Sequence, residues 1–523
     1  MVYKKFAVAI LAAAVGACAQ MERAPQSATS SEVAPGTDTT ASSFDAISQN
    51  IMDAAEPALP PNDIWQRLRQ RFSLDRELDR PKVKDYVKYF SSNQGYMARV
   101  TERSRRYIFH VAEQLEQSNV PMEFALLPIV ESAYDPFAYS HAQASGMWQF
   151  IPATGRSFGL HQNWWYDGRR DVVESTRAAS EYFNYLSAKF DGDWLLVLAA
   201  YNAGEGTVRR AMERNRRKGK GTSFWDLKLP RETQRYVPQL LALAEVVARS
   251  DHYRVPLHDV GNTPYYTAVN VGSQIDLAQA AELADVEIEE LYLLNPGYNR
   301  WATDPNGSHR LLIPQDKSAR FIAELEKLPP EQRVSWQRYQ VARGDSLSVI
   351  ARRYETTVSA IQQTNKLRGS SIRAGQTLLI PSASGPSAQY AYSIDQRVQR
   401  KQSSGSGKKS SYTVRPGDTL WGIARSLDVK VRQLASWNSM APGDTLRPGQ
   451  KLVAYTKANT GNDTSRTTRK VSYRVRNGDS LYRIARKFSI DISDIVRWNK
   501  ISKNSYLQPG QRLTLFVDSA SNG

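Results

Sequence analysis

A multidomain chain, with a mostly α domain followed by small α+β units of βααβ order, is the fold class this sequence predicts. Three observations carry it. Apolar residues recur at helical spacing between residues 62 and 250, one pattern recurs three times between 338 and 517, and Ser-rich stretches separate the parts. The 523 residues are 41% hydrophobic, 23% charged and 10% aromatic. That is enough apolar material for packed cores and excludes a wholly disordered chain.

The N-terminus sets the compartment. Lys4 and Lys5 precede an apolar run from Phe6 to Ala17. The run is shorter than the about 20 residues that span a bilayer and fits the apolar core of a secretory signal. It ends Val15-Gly16-Ala17-Cys18, and Cys18 is the single cysteine of the chain. One cysteine allows no intrachain disulfide and no cysteine-based zinc site. The ending resembles the lipobox of bacterial lipoproteins, which implies cleavage before Cys18 and its lipidation. Ala19, in place of Asp, implies the outer membrane by the same analogy. Residues 19 to about 60 are rich in Ser, Thr, Ala and Pro and read as a flexible tether.

Lys+Arg 69 against Asp+Glu 52 gives +17, and loss of residues 1–17 removes two lysines and no acid, leaving +15. Such an excess serves solubility or a polyanionic partner: nucleic acid, an anionic membrane or an acidic wall polymer. No nucleic-acid fold signature accompanies the basic patches, and secretion argues against that partner. The six histidines show no metal-ligand spacing, so neither metal nor other cofactor is expected.

From Ile64 onward the periodicity is helical. Ile108, Val111 and Leu115 share one face, as do Phe183, Leu186 and Phe190 in a stretch that Ser175 could cap. Asp193 can cap a helix through Trp194–Leu198 that Gly204 could stop.

The C-terminal half repeats. Tyr339-Gln-Val-Ala-Arg-Gly344-Asp345-Ser346-Leu347 recurs from Tyr412 to Leu420 and from Tyr473 to Leu481. Each unit then reaches an asparagine 18 residues on, at Asn365, Asn438 and Asn499, and closes with Gly-Gln and alternating apolar residues. Tyr-x-Val reads as a strand and Gly-Asp as a turn, with the Asp or the Ser/Thr capping the helix that follows. A second helix ends near the asparagine and a second strand returns. At about 45 residues such a unit is near the lower limit for independent folding. These units resemble the LysM domain, which implies binding of N-acetylglucosamine-containing glycans. A decayed copy is expected at 266–315, where Leu277 to Asn295 is again 18 residues. It lacks the Gly-Asp turn and is read as a structural spacer. Residues 382–410 and 456–470 read as flexible spacers, so that the units should move independently and grip by avidity. On that reading, removing the units leaves turnover of short soluble substrates unchanged.

Glu131 is the leading candidate for catalysis. It follows the apolar stretch Phe124–Val130 on a helix that Pro121 could start, with Pro128 implying a kink or an irregular first turn. Poor solvation there would raise its pKa and make it a usable general acid near neutral pH. Glycosidases usually need two carboxylates, about 5 to 9.5 Å apart. Asp135 is the nearest second acid in sequence, beside Pro136, and reads as a turn residue or a partner. A single acid suffices where the substrate supplies the nucleophile.

Glu131-Ser132 is followed by Ser140, by Gly146-Met147-Trp148-Gln149, by Ala200-Tyr201-Asn202-Ala203-Gly204 and by Glu232-Thr233-Gln-Arg-Tyr236. This set, in this order, resembles the lysozyme-like soluble lytic transglycosylase family over about residues 95–245. With the lipobox and the LysM units, the whole resembles the membrane-bound lytic murein transglycosylase D type. The resemblance implies that Glu131 is the catalytic acid/base and that Ser140, Gln149, Tyr201, Asn202, Glu232 and Tyr236 contact substrate or line the cleft. It implies cleavage of the MurNAc–GlcNAc bond of peptidoglycan with formation of a 1,6-anhydro ring. The usual Gly-Leu-Met-Gln motif here reads Gly146-Met147-Trp148-Gln149, so Trp148 is expected to reshape a subsite. Trp164, Trp165, Tyr166 and Trp194 add aromatic density near the motifs, fitting a glycan cleft although most such rings sit in cores. His141, between Ser140 and Gly146, reads as a surface imidazole, with a place in the cleft as the alternative.

The expected divisions are a lipoprotein signal at 1–17, a tether at 18–61, a lytic transglycosylase domain at 62–250, a degenerate LysM-like spacer at 262–316, and LysM units at 338–382, 411–455 and 472–517. Expected partners are peptidoglycan strands and, through Cys18, a membrane; the sequence does not set an oligomeric state. A hydrolytic muramidase or chitinase-type enzyme and a non-catalytic wall-binding lipoprotein remain open alternatives.

Overall fold

The computed structural model describes residues 62–140, 142–354, 356–456 and 468–518, the last stretch apart from 477–478, 489, 491, 500 and 503–506. The expected signal, tether and lipidated Cys18, most of the 456–470 linker, and His141 lie outside the described residues. No described helix is long and apolar enough to cross a membrane.

The first part is helical: α1 (Ile64–Gln70), α2 (Pro81–Ser92), α3 (Gln94–Ser104), α4 (Ile108–Gln117), α5 (Leu127–Ser132), α6 (Pro152–Ser157), α7 (Val172–Lys189), α8 (Trp194–Ala203), α9 (Glu205–Arg216) and α10 (Thr233–Ala248). The two expected apolar faces are buried, through Ile108, Val111 and Leu115 on α4 and through Phe183, Leu186 and Phe190 at α7. Ser175 does not cap α7. Asp171 does, accepting from the Glu174 N–H, so the helix begins a turn earlier and Ser175 is buried inside it. Asp193 caps α8 by accepting from the N–H groups of Leu195 and Leu196, and Gly204 ends it at φ 81°. Apolar on nearly every side, α8 packs against α7, α9 and α10 at the centre of the core. Its polar C-terminal end, Tyr201-Asn202, is thereby delivered to a cleft.

Pro128 imposes a break. Met122–Leu126 form a 3₁₀ turn led by Pro121, and α5 restarts with Pro128 in its first turn, where a missing N–H costs no helical bond. Ala133 ends α5 in the left-handed region, at φ 53°.

Among the described residues four βααβ units follow, each holding one two-stranded antiparallel sheet. The first comprises β1 (Tyr266–Asn270), α11 (Leu277–Ala284), α12 (Ile288–Leu294) and β2 (Arg310–Pro314), and continues past 316 into α13 (Ser318–Lys327), which buries Phe321 and Leu325. The second is β3 (Ser335–Gln340), α14 (Leu347–Arg353), α15 (Val358–Thr364) and β4 (Thr377–Ser382). After α16 (Ile394–Ser403) come β5 (Lys408–Thr413), α17 (Leu420–Ser426), α18 (Val431–Trp437) and β6 (Lys451–Thr456). The last is β7 (Thr468–Arg474), α19 (Leu481–Phe488), α20 (Ile492–Asn499) and β8 (Arg512–Asp518).

The constant asparagine is explained by its amide. In the third unit, Asn438 donates to the carbonyls of Leu434 and Val453 and accepts from the Val453 N–H. One side chain thus satisfies the buried end of a helix and the facing strand. Asn365 makes the same three bonds with Ile361 and Leu379, and Asn499 with Ile495 and Thr514. Asn295 repeats them with Leu291 and Leu312, so the first unit keeps this tie although it lacks the Gly-Asp turn. Of the two caps expected, the hydroxyls of Ser346 and Thr419 cap the helices. Asp345, Asp418 and Asp479 instead close the turns, each accepting a backbone N–H and the hydroxyl of Tyr339, Tyr412 or Tyr473.

Residues 382–410 are not a flexible spacer. Buried Tyr390 donates to the Asp276 carboxylate, the Ile394 N–H bonds the Asn299 carbonyl, and Asp395 pairs with Arg300. Ser393 caps α16, and at its far end Gln402 donates to Asn438 while its carbonyl accepts the Tyr455 hydroxyl. The Ser-, Gln- and Lys-rich composition conceals a capped helix whose anchors all lie far away in sequence. Independent movement is therefore not a property of the unit at 411–455.

Candidate active site

A cleft of about 740 Å³ opens in the helical part. Glu131, Ser140, Gln149 and Tyr201 line it, as do Asn202, Glu232 and Tyr236, so all seven residues singled out in the sequence meet at one place. They come from three sources: the end of α5 with the loop behind it, the end of α8, and the start of α10.

Glu131 opens onto the cleft and is otherwise enclosed by protein. Burial pushes its carboxyl up to about 7; the Tyr236 hydroxyl, which donates to it, works against that rise, and the negative charge of Glu232 adds to it. Burial, with the Glu131 charge behind it, holds the Tyr236 phenol well above its ordinary range, so it remains a donor. Asn202 accepts from the Thr233 hydroxyl at 2.8 Å, which fixes the end of α8 against the start of α10.

The loop between Glu131 and Gln149 is built by its own polar groups. Ser140 Oγ accepts from the N–H groups of Ala142 and Ala144. Gln149 sits in the left-handed region, at φ 51°, and its amide donates to the Gly146 carbonyl at 2.7 Å. Tyr201 donates to the Trp148 carbonyl at 2.6 Å. From the inner side, buried Arg169 donates to the carbonyls of Gln143 and Phe150. Ser140, Gln149 and Tyr201 therefore shape the cleft wall as well as facing it.

Trp148 does not reshape a subsite. It is fully buried, its indole N–H donates to Thr176, and it meets Phe183 edge-on. Trp165 turns away too, packing at 5.8 Å on Trp301 in the core of the first βααβ unit, while Tyr166 faces Tyr298 there. Trp194 packs on Phe124. The rings that do line the cleft are Tyr86, Phe150 and Tyr182, beside Tyr201 and Tyr236. Tyr86 and Tyr182 were not singled out in the sequence and carry no local signal, whereas Phe150 directly follows Gln149 in the same motif. Arg235 and Gln239 were not singled out either, but they share a helical face with Glu232 and Tyr236, and that spacing could have found them. Asp135 does not line the cleft; its carboxylate accepts the Phe137 N–H and closes a turn. The second carboxylate of the cleft is Glu232.

Three family models match: the transglycosylase SLT domain at residues 109–224, the LysM-like domain of lytic transglycosylase MltD at 265–329, and the LysM domain at 339–381, 412–454 and 473–516. Membrane-bound lytic murein transglycosylase D of Escherichia coli K12 is 34% identical over 466 residues, 89% of this chain and 88% of that protein. The autolysin of Enterococcus faecalis is 31% identical over 191 residues, 35% of this chain and 25% of that one. Among solved structures, the soluble lytic transglycosylase SLT70 of Escherichia coli matches at 20% identity over 36% of this chain and 32% of its own, with a TM-score of 0.23, an overlap too partial to bear on the site. The similarity that spans nearly the whole of both proteins decides the matter: the chain belongs to the membrane-bound lytic murein transglycosylase D family.

Proposed function

We propose that the protein is a peptidoglycan lytic transglycosylase in which Glu131 is the acid and then the base. The observation that carries this is the enclosed carboxyl lining the cleft, Glu131, which burial pushes up to about 7, while Glu232 in the same cleft is exposed. Its proton passes to the oxygen bridging MurNAc and GlcNAc as the bond from C1 to that oxygen breaks. The substrate's 2-acetamido oxygen steadies the cation at C1. The Glu131 carboxylate then takes the proton of the C6 hydroxyl, whose oxygen closes on C1. One proton leaves Glu131 and one returns, and no water is consumed. Tyr236 holds the carboxylate in line between the two steps and favours its ionised form. Ser140, Gln149, Tyr201, Asn202 and Glu232 supply the contacts that orient the sugar.

Glu232 supports a second reading, hydrolysis by a carboxylate pair, because it lies in the same cleft. Fragments released from purified peptidoglycan separate the two. Ends one water lighter than the hydrolytic product support the transglycosylase, and reducing ends support the hydrolase.

The anchor is Cys18, lipidated and held in the outer membrane, with the LysM units gripping glycan. Support comes from the lipobox spacing and from a relative whose name is membrane-bound. Cys18→Ala is expected to move the protein from the membrane pellet to the soluble fraction. Continued sedimentation with membranes would remove the lipid anchor from the account.

A further inference from the structure

The stretch from Phe137 to Gln143, which carries Ser140 and Ala142 into the cleft, is gripped from outside at two points. At one end, the Phe137 ring stacks on Tyr392 at 5.2 Å and lies 4.8 Å from the Arg397 guanidinium of α16. At the other, Asp444 of the 411–455 unit accepts from the Tyr139 hydroxyl at 3.1 Å and from the Gln143 amide at 2.5 Å. The two grips are one circuit, because α16 is itself bound to that unit through Gln402, Asn438 and Tyr455.

Asp444 is also held within its own loop, where the Ala441 N–H donates to it at 2.9 Å. Gln143 lies between Ala142 and Ala144, both of which line the cleft, and Arg169 holds its carbonyl from the core side. Gln143 is therefore pinned on both faces, by Arg169 from within and by Asp444 from without. Releasing the outer face frees the cleft wall to shift, and small displacements of substrate-holding groups weaken productive binding.

We propose that the second LysM unit, residues 411–455, positions the substrate wall of the cleft, with Asp444 as the positioning residue. The inference rests on the cleft being the glycan site. It replaces the purely modular reading, in which the repeats act only by holding the wall.

The test uses the full-length protein and a soluble tetrasaccharide of alternating GlcNAc and MurNAc. Asp444→Ala is expected to raise KM about three- to tenfold, the range of an ordinary net hydrogen bond, with kcat within about twofold. Gln143→Ala is expected to do the same, and the double variant to be no worse than about twofold beyond the poorer single one. Binding to insoluble peptidoglycan is expected to stay unchanged in Asp444→Ala, which separates positioning from wall grip. An unchanged KM in Asp444→Ala overturns the proposal, and so do single effects that multiply in the double variant. Lost pull-down with an unchanged KM also overturns it, by assigning Asp444 to wall binding alone. Should Asp444→Ala lose its thermal transition, Tyr139→Phe and Gln143→Ala decide from the catalytic side, with unchanged KM in both as the overturning result. Product mass is read in the same reactions. Hydrolytic ends from the unaltered protein count against the proposed chemistry, while the KM comparison still decides the role of Asp444.

Discussion

Glu131→Gln is expected to slow peptidoglycan cleavage by about a thousandfold or more while leaving a folded protein. The swap keeps the size and the acceptor oxygen for Tyr236 and removes only the transferable proton. It also removes a cost. The carboxyl rises from 4.5 to about 7 on folding, so the folded state holds the proton more tightly than the unfolded chain. Stability from this group is greatest below pH 4.5, falls as pH rises toward 7, and is flat above. At pH 8 the unaltered protein bears the full penalty, up to about 3 kcal/mol, and Gln bears none. Thermal unfolding of Glu131→Gln is therefore expected at a higher temperature than that of the unaltered protein at pH 8, with the difference shrinking at pH 4. Cleavage by the unaltered protein is expected to decline as pH passes above 7, where the acid form is lost. A variant with lower Tm at pH 8 and no activity would make Glu131 structural.

Gly146→Ala is expected to be nearly as damaging, for a different reason. Gly146 sits at φ +81°, and a Cβ there would lie 2.1 Å from the carbonyl oxygen of Arg169. That oxygen is backbone and cannot swing aside. Its residue also carries the guanidinium that holds Gln143 and Phe150. The loop must then move as a whole, taking Gln149 with it. A loss of about 3 kcal/mol or more is expected, together with at least about a hundredfold loss of turnover. Calorimetry and a turnover assay on the purified protein check both. Wild-type Tm and rate would mean that the loop tolerates a different path and does not fix the cleft.

Much of this was legible in the sequence because the signals were local. The apolar run before Glu131 is a single chain segment, legible without knowing that Tyr236, 105 residues on, meets its carboxyl. The LysM units announced themselves by repetition, and the asparagine at fixed spacing proved to be the tie between a helix end and a strand. Local patterns also misled in recognisable ways. Ser175 and Asp171 lie one turn apart, and composition does not say which one starts α7; the ion pair of Asp171 with Arg310, far along the chain, accompanies the choice. Trp148 belongs to a motif that faces the cleft only at its end: Met147 and Trp148 are buried in the core, while Gln149 and Phe150 line the cleft. The segment 382–410 was hidden most completely. Its few anchors, Tyr390, Tyr392, Asp395 and Arg397, find partners roughly 95 to 260 residues away, and no periodicity within the segment reveals them.

The central claim is that the substrate's own hydroxyl, and no water, takes the place of the leaving sugar under the control of Glu131. Digestion of purified peptidoglycan in water enriched in ¹⁸O, followed by mass analysis of the new MurNAc ends, measures this directly. Ends lacking ¹⁸O and one water lighter than the hydrolytic product are expected from the unaltered protein, with none from Glu131→Gln. Ends that carry ¹⁸O from the solvent would contradict the claim and make Glu131 and Glu232 the pair of a hydrolase.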